Sequence, residues 1–321
     1  MAITDYRLME RICRMHYYDG LPQDKIAKRL GLSRSAVSRI LSQAKDEGCV
    51  EVRLRFKTEN YYDLERQLEE RWGLREAVVT PDCDPQADLN QIGVEGAMYL
   101  KRLLKPNMIL AITWGRFMHN VIRAFEEDEL RKGMRFPDAE IVPLVGSVKS
   151  ETRPDNDLSI YTSLLAARLA DILNCSVQSL PAPMYVKNPE VRALFFDEPM
   201  ISHTLDLARH ADAAVFGIGS MREENWIAAI PEQQRRELEK TAAQNGRGEI
   251  IGRIYDSGGR ETQCKYNDCV IGLSLEELKK IPQRIAIAYG PGKIEAVRAA
   301  LNGGIANVLI TDRSTALALL E

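Results

Sequence analysis

Residues 21–52 read LPQDKIAKRLGLSRSAVSRILSQAKDEGCVEV, and this stretch decides how the head of the chain folds. Pro22 suits the first turn of a helix, where a missing N–H costs nothing. Ile26, Ala27 and Leu30 form that helix's inner face. Gly31 stands where a helix commonly stops, because glycine enters the left-handed region without a Cβ penalty. Leu32 plugs the turn, and Ser33 is a good N-cap for a second helix. Val37, Ile40, Leu41 and Ala44 are that helix's buried stripe, and Gly48 ends it. Two helices that cross steeply over a three-residue turn need a short side chain near the crossing, which Ala27 supplies. The spacing predicts a helix-turn-helix.

Working outward from it, residues 5–18 place Leu8, Ile12, Met15 and Tyr18 near helical spacing, and Asp19-Gly20 is a turn dipeptide that ends the run. The outer face of the second helix carries Arg34, Ser35, Ser38 and Arg39. Arginine can pair bidentately with guanine, serine reaches bases or phosphates, and a recognition helix offers its N-terminal residues to the major groove. The expected DNA-contacting set is Gln23, Ser33, Arg34, Ser35, Ser38 and Arg39. The bland alternative for the arginines is a solvated helix face. Charge favours DNA: residues 1–57 carry twelve Lys/Arg against seven Asp/Glu, a net +5, while the remainder carries −8, which gives the chain its total of −3.

Downstream, VEVRLRF (50–56) alternates apolar and charged residues like a half-buried strand. Arg53 and Arg55 make it either a wing on phosphates or an edge strand guarded by charge. Residues 58–74, TENYYDLERQLEERWGL, put Tyr61, Leu64, Leu68 and Trp72 on one helical face. A helix this short needs a partner, either its own large domain or a second subunit.

From Glu76 onward, apolar runs alternate with amphipathic helical stretches. The runs are AVVT, MILAIT, AEIVPLV, AAVFGIG, RIAIAY and NVLIT; the helical stretches are 92–104, 118–125, 161–173, 233–245 and 293–301. This alternation predicts an α/β, Rossmann-like, doubly wound sheet. Ligands of such sheets bind past the carboxyl ends of the strands. Four loops there are informative: Thr113-Trp114-Gly115-Arg116; Gly146-Ser147 followed by Arg153, Asp155 and Asn156; Gly217-Ile218-Gly219-Ser220; and Gly290-Pro291-Gly292-Lys293. Glycine lets backbone N–H groups approach a ligand, helix starts favour anions or hydroxyls, and Lys293 could add a positive charge. Each glycine alone is more often structural; together they point to one small-molecule rim. The expected organisation is a DNA-binding domain over 1–57, a connecting or oligomerising helix over 58–75, and an effector-binding domain over 76–321.

The 321 residues are 45% hydrophobic and 28% charged, as in ordinary globular proteins, and no run of about 18 apolar residues predicts a membrane span. The first residues lack an apolar core, so no secretory signal is expected. The six scattered cysteines, with no Cys-x-x-Cys, read as reduced thiols in a cytoplasmic protein. Catalytic signatures are wanting. Position 222 is Arg rather than the third glycine of a dinucleotide fingerprint, Gly292-Lys293 has no Ser/Thr after it, Ser220 lacks a Gly-x-Ser-x-Gly frame, and the four histidines lack metal-ligand spacing. No enzyme activity, cofactor or metal is expected.

In order along nearly the whole chain, ILAITWGRFMHNVI, VPLVGS, LPAPMYVKNPEVR, AAVFGIGS, GRIYDSGG and AYGPGKIEAVRAALNGGIANVLITDRSTALALL resemble the blocks of the SorC/DeoR-type sugar-binding transcriptional regulators of bacteria. The resemblance implies a winged helix-turn-helix head and an effector domain related to sugar-phosphate isomerases and CoA transferases. It implies a sugar, polyol or sugar-phosphate effector, operator DNA as partner, and a homodimer or homotetramer controlling a carbohydrate catabolic operon. The positions it carries over for the effector are Thr113, Gly115, Arg116, Gly146, Ser147, Asn156, Gly217, Gly219, Asp256 and Lys293. Asp256 would bond effector hydroxyls, unless it merely holds an Asx turn with Ser257-Gly258-Gly259. Lys293 falls near a phosphate in the family, unless it is a solvated helix-start residue. There is one departure: many members with phosphorylated effectors carry Ser or Thr where this chain has Phe117, then Met118, and neither side chain can bond a phosphate. Arg116 and Lys293 leave a phosphorylated effector open. The alternative function is a sugar-phosphate isomerase- or hydrolase-like enzyme with an appended DNA-binding head. It needs a general base, for which Asp256 is the nearest candidate.

Overall fold

A computed structural model describes residues 5–50, 61–83, 91–127, 133, 135–147, 161–221, 236 and 245–321. The run 51–56 with Arg53 and Arg55, the loop residues Arg153, Asp155 and Asn156, and nearly all of the helical stretch 233–245 lie outside the described residues. The chain forms two units, residues 1–59 and 60–321.

The smaller unit contains α1 (Tyr6–Tyr17), α2 (Gln23–Leu30) and α3 (Arg34–Asp46). Local chemistry sets each boundary. Asp5 Oδ1 accepts from Leu8 N at 3.0 Å. Gly31, at φ 69°, closes α2 in the left-handed region. Ser33 Oγ accepts from Ala36 N at 3.1 Å and starts α3 three residues after α2 ends. Ile12, Met15, Ile26, Ala27, Val37 and Leu41 make one core, with Leu8, Leu30, Leu32 and Ile40 packed against it. Tyr18 departs from the expected inner stripe. It is 84% exposed, with the Arg14 guanidinium 6.0 Å from its ring centre, and Met9 is buried instead. The reason is that α1 stops at Tyr17, so Tyr18 lies past the last full turn.

The larger unit opens with α4 (Tyr62–Trp72). Leu68 is fully buried in the unit's own core, and Tyr61, Leu64 and Trp72 pack against that core. The unit is built on seven parallel strands: β1 (Glu76–Thr80), β2 (Ile109–Ile112), β3 (Glu140–Pro143), β4 (Ser176–Val177), β5 (Ala213–Gly217), β9 (Gln283–Ile287) and β10 (Val308–Asp312). Their order across the sheet is β1-β10-β9-β5-β2-β3-β4. All six apolar runs named from the sequence lie in this sheet. Successive residues of β5 feed opposite faces: Ala213 and Val215 join one core, Ala214 and Phe216 the other. That two-sided burial is why the strands read as continuous apolar runs rather than as alternating ones.

Helices α5 (Gln91–Leu103) and α6 (Arg116–Phe125) lie close together. A Cβ on Gly93 would sit 2.8 Å from the Asn120 backbone, and one on Gly96 2.7 Å from a Val121 methyl. Further along come α7 (Thr162–Leu173), α8 (Pro189–Asp197), α9 (Pro199–Arg209), α10 (Leu275–Leu278), α11 (Ile294–Asn302) and α12 (Arg313–Leu320). A small antiparallel sheet, β6 (Gly219–Ser220), β7 (Gly248–Ile250) and β8 (Arg253–Tyr255), was not expected from the sequence. Its strands are two or three residues long and β7 and β8 are buried throughout, so they carry no alternation to read.

The chain passes from β2 to β3 on one side and from β5 to β9 on the other, so β2 and β5 flank the switch point of the sheet. A crevice for ligands opens past the carboxyl ends of strands at such a point. All six cysteines are free thiols. Among the described residues no helix is long and apolar enough to cross a membrane.

Candidate functional site

In the smaller unit, α3 turns Val37, Leu41 and Ala44 inward and leaves Arg34, Ser35, Ser38, Arg39 and Ser42 exposed. Ser33 is occupied locally, capping α3 and lying 3.0 Å from Ser35 Oγ. Gln23 opens α2 and is half-buried. Arg34 is ion-paired: its Nε lies 3.5 Å from Asp24 Oδ1 in the first turn of α2. Arg34, Ser35, Ser38 and Arg39 thus form one exposed hydroxyl- and guanidinium-bearing face.

In the larger unit, the four glycine-bearing loops follow four consecutive strands, β9, β5, β2 and β3. Strands stand about 4.8 Å apart, so the rim they make is roughly 14 Å long. After β2, Thr113 is 3% exposed, Trp114 is half-buried, and Gly115 N-caps α6 at φ 136°, with Arg116 its first residue. Trp114 Nε1 is buried with no hydrogen-bond partner among the described residues. Phe117, 8% exposed, lays its ring across both strands of the switch point: a Cβ on Gly115 would lie 2.8 Å from it, and one on Gly217 2.6 Å. These two glycines are therefore required by the ring.

After β3, Gly146 meets the segment Leu180–Met184 rather than open space, since a Cβ there would be 2.5 Å from Pro183 O. Ser147 donates its N–H to Ala182 O and accepts from Met184 N, both at 2.9 Å, while its Oγ lies 3.4 Å from Ser163 Oγ at the start of α7. After β9, Gly290, at φ 96°, gives its N–H to Thr315 Oγ1 at 2.9 Å. Lys293, half-buried, N-caps α11.

The residue that sequence reasoning missed is Glu249. It pairs with Gly219 across β6 and β7, and a Cβ on Gly219 would lie 2.7 Å from its Oε2. It is 5% exposed, and Gly252 N donates to its Oε1. Burial pushes its carboxyl up to about 7, against the opposing pull of that N–H and of the Lys293 charge. A lone acid in the apolar run Gly248-Glu249-Ile250-Ile251-Gly252 was the available signal. Asp256 is placed otherwise. Its Oδ1 accepts from Gly258 N at 2.8 Å and Arg260 N at 3.0 Å, closing an Asx turn. That turn packs on Gly303, at the end of α11 opposite Lys293. The structure brings Glu249, not Asp256, to Lys293 and the third loop. Among the described residues no three His, Cys, Asp or Glu side chains are grouped to hold a metal ion.

A three-helix head with an exposed cationic helix face, followed by a doubly wound sheet with a built rim at its switch point, defines a ligand-responsive DNA-binding regulator. Comparison with known proteins agrees. Residues 57–321 match the sugar-binding domain family model (Sugar-bind), and residues 9–46 match the model of sigma-70, region 4. The transcriptional regulator LsrR of Escherichia coli K12 is 31% identical over 314 residues, 97% of this chain and 93% of that protein. The deoxyribonucleoside regulator of Bacillus subtilis 168 is 29% identical over 313 residues, 96% and 95% of the two chains. The full-length sorbitol operon regulator SorC from Klebsiella pneumoniae has a similar structure, with TM-score 0.69, 26% identity and 99% of each chain covered. A DeoR family transcriptional regulator from Listeria monocytogenes gives TM-score 0.68 and 29% identity over 80% of this chain and 98% of that one. The chain belongs to the SorC/DeoR-type family of sugar-binding transcriptional regulators. It is a DNA-binding regulator of carbohydrate metabolism whose larger unit is a sugar-binding effector domain.

Proposed function

We propose that α3 enters the major groove of operator DNA and that the rim of the larger unit takes an unphosphorylated sugar or polyol. Arg34, Ser35 and Ser38 read base edges, and Arg39, Gln23 and the first turn of α3 at Ser33 hold phosphates. Thr113, Gly115, Arg116, Gly146, Ser147, Gly217, Gly219, Asp256 and Lys293 bind the effector, with the buried Glu249 carboxyl behind Gly219 and Lys293. Asn156 belongs to the same proposal. Trp114 Nε1 supplies a buried donor for an effector hydroxyl. The domain division at about residues 57 and 75, the kinship of the effector domain with sugar-phosphate isomerases and CoA transferases, a homodimer or homotetramer on paired half-sites, and a cytoplasmic setting complete the reading.

One observation carries the effector class. The Phe117 ring lies against Gly115, the N-cap of α6, and against Gly217 at the end of β5. An apolar ring there suits the C–H face of a sugar or polyol and gives a phosphate no hydrogen bond. A thermal-shift panel of sugars, polyols and their phosphates tests this. At a hundredfold excess over Kd, stabilisation of about 2.7 kcal/mol, or roughly 5–10 °C, is expected from an unphosphorylated compound, with a smaller shift from its phosphate. Stabilisation by phosphorylated sugars alone would contradict the class.

A further inference from the structure

We infer that Asp24 is a positioning residue for DNA reading: it holds the Arg34 guanidinium by Nε, so that its two terminal nitrogens face a base. This rests on the reading of α3 as the recognition helix. Arg34 is the first residue of α3, where the positive end of the helix dipole disfavours a cation, and α3 has no acid in its own first turn. Asp24 lies in the first turn of α2, where a carboxylate is favoured. It supplies the missing negative charge across the turn, with Oδ1 3.5 Å from Arg34 Nε.

The pair is a poor stabilising device, because the Arg34 and Asp24 side chains are 74% and 65% exposed and exposed ion pairs contribute little. Its consequence is orientation. The guanidinium is planar in any setting, and a carboxylate on its Nε side leaves Nη1 and Nη2 as the fork that meets guanine O6 and N7. A carboxylate beside DNA otherwise opposes phosphate binding, and the surroundings are cationic: Lys25, Lys28 and Arg29 share α2 with Asp24.

The test uses the full chain and a pool of randomised duplexes, with bound sequences read out for wild type, Asp24→Ala, Arg34→Ala and the double variant. Unchanged melting of each variant controls for folding. Arg34→Ala removes the preference for guanine at one position of each half-site. Asp24→Ala weakens discrimination at that same position by about fivefold or more, leaves the other positions intact, and does not weaken binding to unrelated duplexes. In the double variant nothing is lost beyond Arg34→Ala. The inference is overturned if Asp24→Ala keeps the guanine preference and merely tightens binding to every duplex alike, as removal of a repelling charge would. It is also overturned if the two losses add independently. If Arg34→Ala itself keeps every preference, the assignment of Arg34 as base reader falls first and Asp24 falls with it.

Discussion

Glu249 is a carboxyl group placed where water does not reach, and its protonation is linked to folding. Its value in the folded chain, about 7, lies above the ordinary 4.5 because burial disfavours the charge. A raised value gives stability that is fully present below about pH 4.5 and is lost as pH rises through about 7. Its complete loss is on the order of 3 kcal/mol. Glu249→Gln, which keeps an acceptor for Gly252 N, should flatten this slope and exceed wild type in stability at pH 8. Denaturant midpoints measured from pH 5 to pH 8 decide it, and parallel curves for the two proteins would place the titration elsewhere. The same residue marks the boundary of what could be read in advance. Gly31 and Ser33 announced themselves because their partners lie within four residues. Glu249 meets Gly219 and Lys293, which are distant in sequence, and no spacing rule connects them. The Asx turn of Asp256 was legible because its hydrogen-bond partners, Gly258 and Arg260, lie within four residues.

At the scale of elements, the apolar runs were legible as strands because both faces of the main sheet are buried. The order of the strands was not, since it depends on which helices cover which face. The β6–β8 sheet escaped because two- and three-residue strands have no period. Helix α4 shows the limit most clearly. Its stripe of Tyr61, Leu64, Leu68 and Trp72 was evident, but whether it covers its own domain or a partner was open. Leu68 is fully buried in the core of the larger unit, and its helix α4 packs on β1 and α12 of the same chain. Leu68→Ala should therefore destabilise the larger unit by about 2–5 kcal/mol. Chemical denaturation at two protein concentrations checks this: the loss should not depend on concentration. A loss that vanishes at high concentration would mean that the helix is completed by a second subunit.

At the scale of the molecule, a head of net +5 on a body of net −8 directs a polyanion to the head alone. The family's head-and-body layout spans the chain, with 99% of it covered by the solved sorbitol operon regulator. Regulation requires that the two binding events share free energy, and such coupling is reciprocal. The most direct measurement takes an operator selected from random duplexes and the sugar or polyol that gives the largest thermal shift. The Kd for operator is determined with and without the small molecule, and the Kd for the small molecule with and without operator. The account predicts that both change by one common factor, about fivefold or more. Tight binding of both ligands with neither Kd altered by the other would contradict it.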